Sequence, residues 1–201
     1  MLRKCFGVTH AFVFDNAESL RTLHPSKRFF KSKRYKTYGL WLTGQEIRRD
    51  LILNGTSNIQ QVVLPDPRNN EMLTELDRSF ASRFVLGSSN EIKKSARSLG
   101  QLGARVYWCD EWPGVALTFH MRDMKNENSE PGKGSIVCVQ PIPRYMPLGD
   151  GPVMCLRQGK NPEAFDAYWK LYRRTVQGAS MAALPSPNVT TISPSVTTVY
   201  Y

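Results

Sequence analysis

Short strand-like segments alternate with amphipathic helical segments along most of this chain, and that alternation restricts the fold more than any other feature. Apolar, β-inclined residues predict strands over 37–43, 59–64, 83–86, 106–109, 115–119, 136–139, 153–156 and 181–184. Apolar residues at helical spacing predict helices over 45–53, 69–80, 91–99 and 161–176. Strands and helices that alternate at this spacing pack as layers, so the predicted fold class is α/β.

A polar, unpatterned segment over 121–134 predicts a linker and a domain boundary. Beyond it, the order strand, turn, helix, strand over 153–184 predicts a parallel βαβ unit. Asn161-Pro162-Glu163 is a strong helix start, with Asn as N-cap and Pro in the first turn.

The positive charge of the chain is concentrated at its N-terminus. The sequence has 27 basic and 17 acidic residues, a net charge of +10. Residues 1–36 hold nine of the basic residues and two of the acidic ones, so the remaining body is nearly balanced. A basic N-terminal arm indicates either a polyanionic partner or an organelle-targeting sequence.

Within the arm, residues 27–36 carry six positive charges and three aromatic rings with no acid. Basic side chains bind phosphates and aromatic rings stack on unpaired bases, so this segment is a candidate RNA-binding site. A presequence end or a solvated linker explains the same composition, and both interpretations stay open. The candidate RNA-binding residues are these arm positions and two arginines on the outer face of helix 45–53: Lys27, Arg28, Phe29, Lys31, Lys33, Arg34, Tyr35, Lys36, Arg48 and Arg49.

The arm also resembles a targeting segment. A secretory signal would need a small-residue cleavage site, and Ala11-Phe12-Val13 is a poor one. A mitochondrial presequence is basic and acid-poor, as residues 1–36 are, so we expect the mitochondrial matrix. No uncharged apolar run approaches the roughly 20 residues of a membrane helix, so no membrane association is expected.

The cysteines and histidines do not form a metal-ligand pattern. Cys5, Cys109, Cys138 and Cys155 contain no CxxC pair, and the three histidines are far apart. We therefore expect no metal site, and we expect Cys109, Cys138 and Cys155 to be reduced core residues. Residues 175–201 carry no charge at all, which indicates structured chain that needs a partner surface.

The order of these segments resembles the SpoU/TrmH-type RNA 2′-O-ribose methyltransferases of the SPOUT superfamily. The segments that carry the resemblance are 40–46, 59–64, 112–117, 153–156, 161–162, 178–184 and 192–196. The resemblance implies an L30e-like RNA-binding domain over 37–120 and a partial SPOUT methyltransferase-like domain, parallel and Rossmann-like, over 135–201.

The catalytic features of that family are altered. Its first catalytic motif has Asn, Gly and Arg. If the motif is aligned at Asn161-Pro162, its three positions hold Ala164, Asp166 and Lys170 in this chain. If it is aligned at Gly178, they hold Asp166, Tyr168 and Tyr172. The ammonium group of lysine does not replace the planar guanidinium group of arginine. An Asp or Tyr side chain blocks the close approach of the substrate backbone that Gly allows. The family's S-adenosylmethionine pocket comes from later motifs, for which no segment matches, so we assign no catalytic residue and expect no cofactor.

Three functional hypotheses follow. The first is a catalytically degenerate, RNA-binding homologue in mitochondrial ribosome assembly or rRNA maturation. The second is an active S-adenosylmethionine-dependent 2′-O-methyltransferase, as a fragment or with a partner subunit. The third is a structural mitoribosomal protein. The expected partners are ribosomal or other structured RNA, with either an intact methyltransferase homologue as heterodimer partner or burial in a ribosomal precursor.

Overall fold

The computed structural model describes residues 12–14, 35–42, 58–79, 89–124, 129–141 and 152–184. Their strands form one eight-stranded sheet with the order β1-β7-β6-β5-β2-β3-β4-β8. The strands are β1 (Phe12–Phe14), β2 (Tyr35–Leu40), β3 (Asn58–Pro65), β4 (Arg105–Cys109), β5 (Val115–Arg122), β6 (Ile136–Pro141), β7 (Val153–Arg157) and β8 (Ser180–Met181). The helices are α1 (Asn70–Ser79), α2 (Ser89–Gln101) and α3 (Pro162–Gly178).

These elements confirm the α/β class and most of the predicted segments. Each predicted strand or helix within the described residues has a counterpart, although β8 is displaced toward the end of α3. The predicted helix over 45–53 and the predicted strand over 83–86 lie outside the described residues.

Parallel and antiparallel pairing divide the sheet. β2, β3 and β4 are parallel neighbours, and α1 and α2 lie between β3 and β4 along the chain. All other neighbouring strands are antiparallel. The parallel part therefore needs crossover connections, whereas β5 to β7 form a meander.

The parallel βαβ unit predicted over 153–184 was wrong. β7 is antiparallel to β1 and β6, while β8 is antiparallel to β4 near the other end of the sheet. The physical reason is the aromatic side of α3, whose rings pack on Phe119 of β5 and Tyr38 of β2. The helix has 17 residues and spans about 25 Å, which equals about five strand spacings. The helix crosses the sheet and does not return beside β7.

The segment over 121–134 connects neighbouring strands. β5 and β6, on either side of it, pair over six positions from Val115↔Pro141 to His120↔Ile136. One hydrophobic core includes residues of β2, β3, β5, β6, β7 and α3. The boundary predicted at 121–134 therefore falls on a connection within one sheet and one core. β1 also belongs to this sheet, although it lies in the predicted arm 1–36.

Aromatic side chains of α3 pack on one face of the sheet. Phe165, Trp169 and Tyr172 lie at helical spacing and are buried, as the sequence predicts. Phe119 of β5 lies 5.8 Å from Phe165 and 5.1 Å from Trp169, between ring centroids. Tyr38 of β2 meets Trp169 edge to face at 5.5 Å. Such pairs add to the free energy gained by burial.

The opposite face of the parallel strands is covered by α2. Ile92, Ala96 and Leu99 are fully buried and follow one side of that helix. They pack with residues of β3 and β4, including Val62 and Val106. The two faces of the parallel strands therefore carry different helices.

Asparagine precedes both α1 and α3, and the two residues act differently. Asn69 caps α1, because its Oδ1 accepts a hydrogen bond of 3.0 Å from the backbone N–H of Met72. Asn161 occupies the N-cap position of α3, but its side chain makes no capping hydrogen bond. The backbone carbonyl of Asn161 accepts the first helical bond, from Phe165 at 3.0 Å, and Pro162 supplies the preset dihedral.

Three cysteines have free thiols, as the sequence predicts. Cys109 and Cys155 are buried, Cys138 is half-buried, and none forms a disulfide. The Sγ atoms of Cys138 and Cys155 lie 2.8 Å apart across paired positions of β6 and β7. Burial raises the pKa of the Cys109 thiol to about 12, so it is protonated at neutral pH.

Tyr172→Phe tests the contact between α3 and β3. The Tyr172 hydroxyl donates to the side-chain oxygen of buried Gln61 at 3.2 Å. Removing it leaves a buried acceptor without that donor, so we expect the free energy of unfolding to fall by about 1–2 kcal/mol. The control Tyr168→Phe, at a half-buried position, is expected to change it by less than about 0.5 kcal/mol. Equal losses in urea unfolding would contradict the contact.

His120 makes stability depend on pH. It is 1% exposed, its Nδ1 lies 3.4 Å from the Thr37 hydroxyl, and burial lowers its pKa to about 4. The unfolded chain, with a His pKa of about 6.5, binds the proton more tightly. The free energy of unfolding should therefore fall as pH drops from about 6.5 to about 4, by up to about 3 kcal/mol.

The matched variant is His120→Asn, which cannot titrate in this range. The difference in unfolding free energy between the parent and this variant should change with pH in that window. A difference that stays constant from pH 7 to pH 4 would contradict the assignment.

Candidate nucleic-acid interface

Two loops are joined at the end of the sheet where β2 begins. One belongs to the connection from β5 to β6, which is described over 123–124 and 129–135, and the other is the turn from β7 to α3, over 158–161. The backbone N–H of Gln158 donates to the carbonyl of Ser135 at 2.9 Å, and that of Gly159 donates to the carbonyl of Lys133 at 3.0 Å. These bonds fix the relative position of the two loops.

Ser135 connects these loops to the end of β5. It is fully buried, and its hydroxyl accepts a hydrogen bond of 3.0 Å from the backbone N–H of Arg122. Its own N–H donates to the carbonyl of Gly132 at 2.8 Å. Because its hydroxyl is used in this way, Ser135 has a structural role.

Glycine is required where the loops touch. A Cβ on Gly159 would lie 2.8 Å from the Lys133 carbonyl oxygen, and one on Gly132 would lie 2.8 Å from the Arg122 carbonyl oxygen. The loops therefore pack more closely than side chains at those positions permit.

Five basic residues lie at this end of the sheet, and we name them the basic rim. Arg122 ends β5, Arg157 ends β7, and Lys36 is the second residue of β2. The other two lie on the joined loops. The basic rim is Lys36, Arg122, Lys133, Arg157 and Lys160.

The charges of the basic rim are partly compensated. Nε of Arg122 lies 3.4 Å from a carboxylate oxygen of Asp123, and the Arg122 side chain is 42% exposed. Lys133 and Arg157 are exposed, and neither side chain makes an ion pair with a residue that the structure describes. The rim therefore presents at least two cations that the described part of the fold does not neutralise.

Two predicted RNA-binding residues lie at this rim. Tyr35 and Lys36 begin β2, where Tyr35 pairs with Arg122 and Lys36 with Met121. The other predicted residues lie outside the described part of the chain: Lys27, Arg28, Phe29, Lys31, Lys33, Arg34, Arg48 and Arg49. Arg34 is bonded to Tyr35, so the arm joins the fold at the basic rim.

Sequence reasoning missed Arg122, Lys133, Arg157 and Lys160. Each is a separate basic residue, and they come from several segments that only the sheet brings together. Arg122 and Arg157 do follow buried strand residues directly, and a cation at the end of a strand was the available signal.

The places that correspond to the family's first catalytic motif can be located in the structure. Those places lie on α3, and Tyr172 among them is buried in the aromatic core. Within the described residues, no group of three or more His, Cys, Asp or Glu side chains is placed to hold a metal ion. No helix in the described ranges is both long enough and apolar enough to cross a membrane.

Comparisons with known proteins identify no family. No protein-family model matches the sequence, and no curated protein matches it. Among solved structures, the chain is similar to TrmBL2, described as an archaeal chromatin protein with a novel mode of DNA binding. The TM-score is 0.42 at 10% identity, and the match covers 88% of this chain and 56% of that one. At that TM-score the similarity carries no argument about fold or function.

Gly159→Ala tests the junction of the two loops. The added methyl group would meet the Lys133 backbone, so we expect the free energy of unfolding to fall by about 1–3 kcal/mol. Gly178→Ala is the control, because a Cβ there meets nothing within 4 Å. Urea unfolding of both variants measures the effect, and similar stabilities would show that the loops are not in contact.

Proposed function

We propose that this chain binds structured RNA through residues 27–36 and the basic rim, without catalysing methyl transfer. The observation that carries the proposal is the start of β2. Tyr35 and Lys36 belong both to the basic arm and to the strand beside Arg122. The cations of the arm are thereby attached next to cations fixed by the fold.

The physical basis is phosphate binding. A protein that neutralises phosphates releases counterions, so its affinity falls steeply with salt. Lys133 and Arg157 are supported by a hydrogen-bonded loop pair and a strand end, which hold their backbones in place. RNA is recognised largely by shape and backbone contacts, and cations at fixed positions suit such recognition.

The proposal extends to ancestry and place of action. The chain is a degenerate SpoU/TrmH-type homologue that works in mitochondrial ribosome assembly or rRNA maturation. The segment order over 40–64 and 112–117 and the basic, acid-poor residues 1–36 support it. The segment over 153–184 gives no support, because β7 and β8 are not parallel neighbours. The RNA-binding proposal rests on charge and stands without that resemblance.

RNA binding is tested by titrating a structured rRNA fragment at several salt concentrations. The double variant Lys133→Gln/Arg157→Gln should weaken binding and lower the slope of log K against log salt by roughly 1–2. The arm variant with Lys31, Lys33, Arg34 and Lys36 changed to Gln should lower it further.

The matched control is Lys170→Gln/Arg173→Gln, which removes the same charges from exposed positions on α3. We expect its slope to remain close to that of the parent protein. If this control and the rim variant behave alike, net charge alone explains binding. If calorimetry detects S-adenosylmethionine binding, the non-catalytic proposal is wrong.

A further inference from the structure

A cleft of about 320 Å³ lies between α2 and the edge of the sheet formed by β4 and β8. Its lining includes Arg68, just beyond the end of β3, and Trp108, near the end of β4. The carboxyl ends of parallel strands are where open α/β sheets bind ligands. The basic rim lies at the opposite end of these strands, where β2 begins, so the two sites are separate.

One cation of the cleft is neutralised by the fold. The Arg68 guanidinium donates to both carboxylate oxygens of Asp66, at 2.6 Å from Nη2 to Oδ2 and 3.0 Å from Nε to Oδ1. The hydrogen bonds from Arg68 hold the pKa of the Asp66 carboxyl below its usual range. Arg68 therefore has a structural partner.

Two further cations of the cleft are not neutralised in this way. Lys93 and Arg97 lie one turn apart on the same side of α2. Lys93 Nζ lies 3.5 Å from the Ser89 hydroxyl, and Arg97 is exposed and forms no ion pair with the described residues. Like charges four residues apart destabilise a helix by about 0.2–0.5 kcal/mol. The described cleft lining contains no acidic side chain, and the nearby Asp66, whose pKa Lys93 also lowers, is already paired with Arg68.

The other wall of the cleft is apolar. Trp108 is nearly buried, Leu184 is half-buried, and the Met181 side chain is 64% exposed on β8. A ligand that fits both walls has an anionic group at one end and an apolar surface at the other. Phosphates and carboxylates are the anions that Lys and Arg recognise.

We propose that this cleft binds a nucleotide, with its phosphate on Lys93 and Arg97 and its base against Met181 and Trp108. Charge complementarity selects the phosphate, and the apolar wall favours a nucleotide over inorganic phosphate. A free mononucleotide and the 5′-phosphorylated end of an RNA present the same chemistry. The proposal does not depend on RNA binding by the basic rim.

The test uses calorimetry on the full chain with adenosine 5′-monophosphate, adenosine and inorganic phosphate. We expect the nucleotide to bind at least tenfold more tightly than either fragment. Lys93→Gln and Arg97→Gln should each weaken nucleotide binding about tenfold and leave any adenosine binding unchanged. Lys94→Gln, an exposed lysine on the same helix, is the matched control and should bind like the parent protein.

Equal binding of nucleotide and adenosine would overturn the phosphate assignment, and equal binding of nucleotide and inorganic phosphate would overturn the role of the apolar wall. Unchanged binding in both cleft variants would place the ligand elsewhere. Thermal unfolding confirms that the variants fold. The rim variant Lys133→Gln/Arg157→Gln should keep nucleotide binding, so failure of one proposal does not imply failure of the other.

A pair of short RNAs, with and without a 5′-phosphate, distinguishes the two sources. If Arg97→Gln abolishes a preference for the phosphorylated RNA, the ligand is an RNA end. If the cleft variants bind both RNAs as tightly as the parent protein does but bind the mononucleotide more weakly, the ligand is a free nucleotide.

Discussion

The packing of α3 across the sheet holds the described fold together. The buried rings of Phe165, Trp169 and Tyr172 meet Phe119 and Tyr38, on two different strands. This contact connects the β5–β7 meander to the parallel strands on one face, while α2 covers the other. Without it the two parts would meet along the pairing of β2 with β5 and the side chains beside it, such as Thr37 and His120. The hydrogen bond from Tyr172 to Gln61 further fixes the helix over β3.

That rigid centre separates the two candidate sites. The basic rim lies where β2 begins and β5 and β7 end, whereas the cleft lies where β3 and β4 end. β5 and β7 run in the direction opposite to β2, β3 and β4. In such a mixed sheet the carboxyl ends of β5 and β7 lie at one end of the sheet, and those of β3 and β4 lie at the other. Each site can therefore be altered without moving the other.

The sequence predicts local elements well, because helical and alternating patterns depend on nearby residues. The helix with Phe165 and Trp169, and the cap at Asn69, follow from such patterns. Strand order depends on contacts between distant segments, so the course of α3 was not predictable from 153–184. The same limit applies to the basic rim, since Lys133 and Arg157 become neighbours only through loop hydrogen bonds and pairing of β6 with β7.

The distribution of ion pairs separates structural cations from available ones. Arg68 forms an ion pair with Asp66, and Arg122 forms one with Asp123. Lys93 and Arg97 repel each other along one side of α2, which destabilises the helix. Neither side chain forms an ion pair with the described residues. An exposed ion pair contributes only about 0–1 kcal/mol, so supplying an acid would stabilise the fold little. A bound phosphate gains much more from two adjacent cations, because charge-assisted hydrogen bonds are the stronger kind. Binding an anion is therefore the role in which this pair is most useful to the protein.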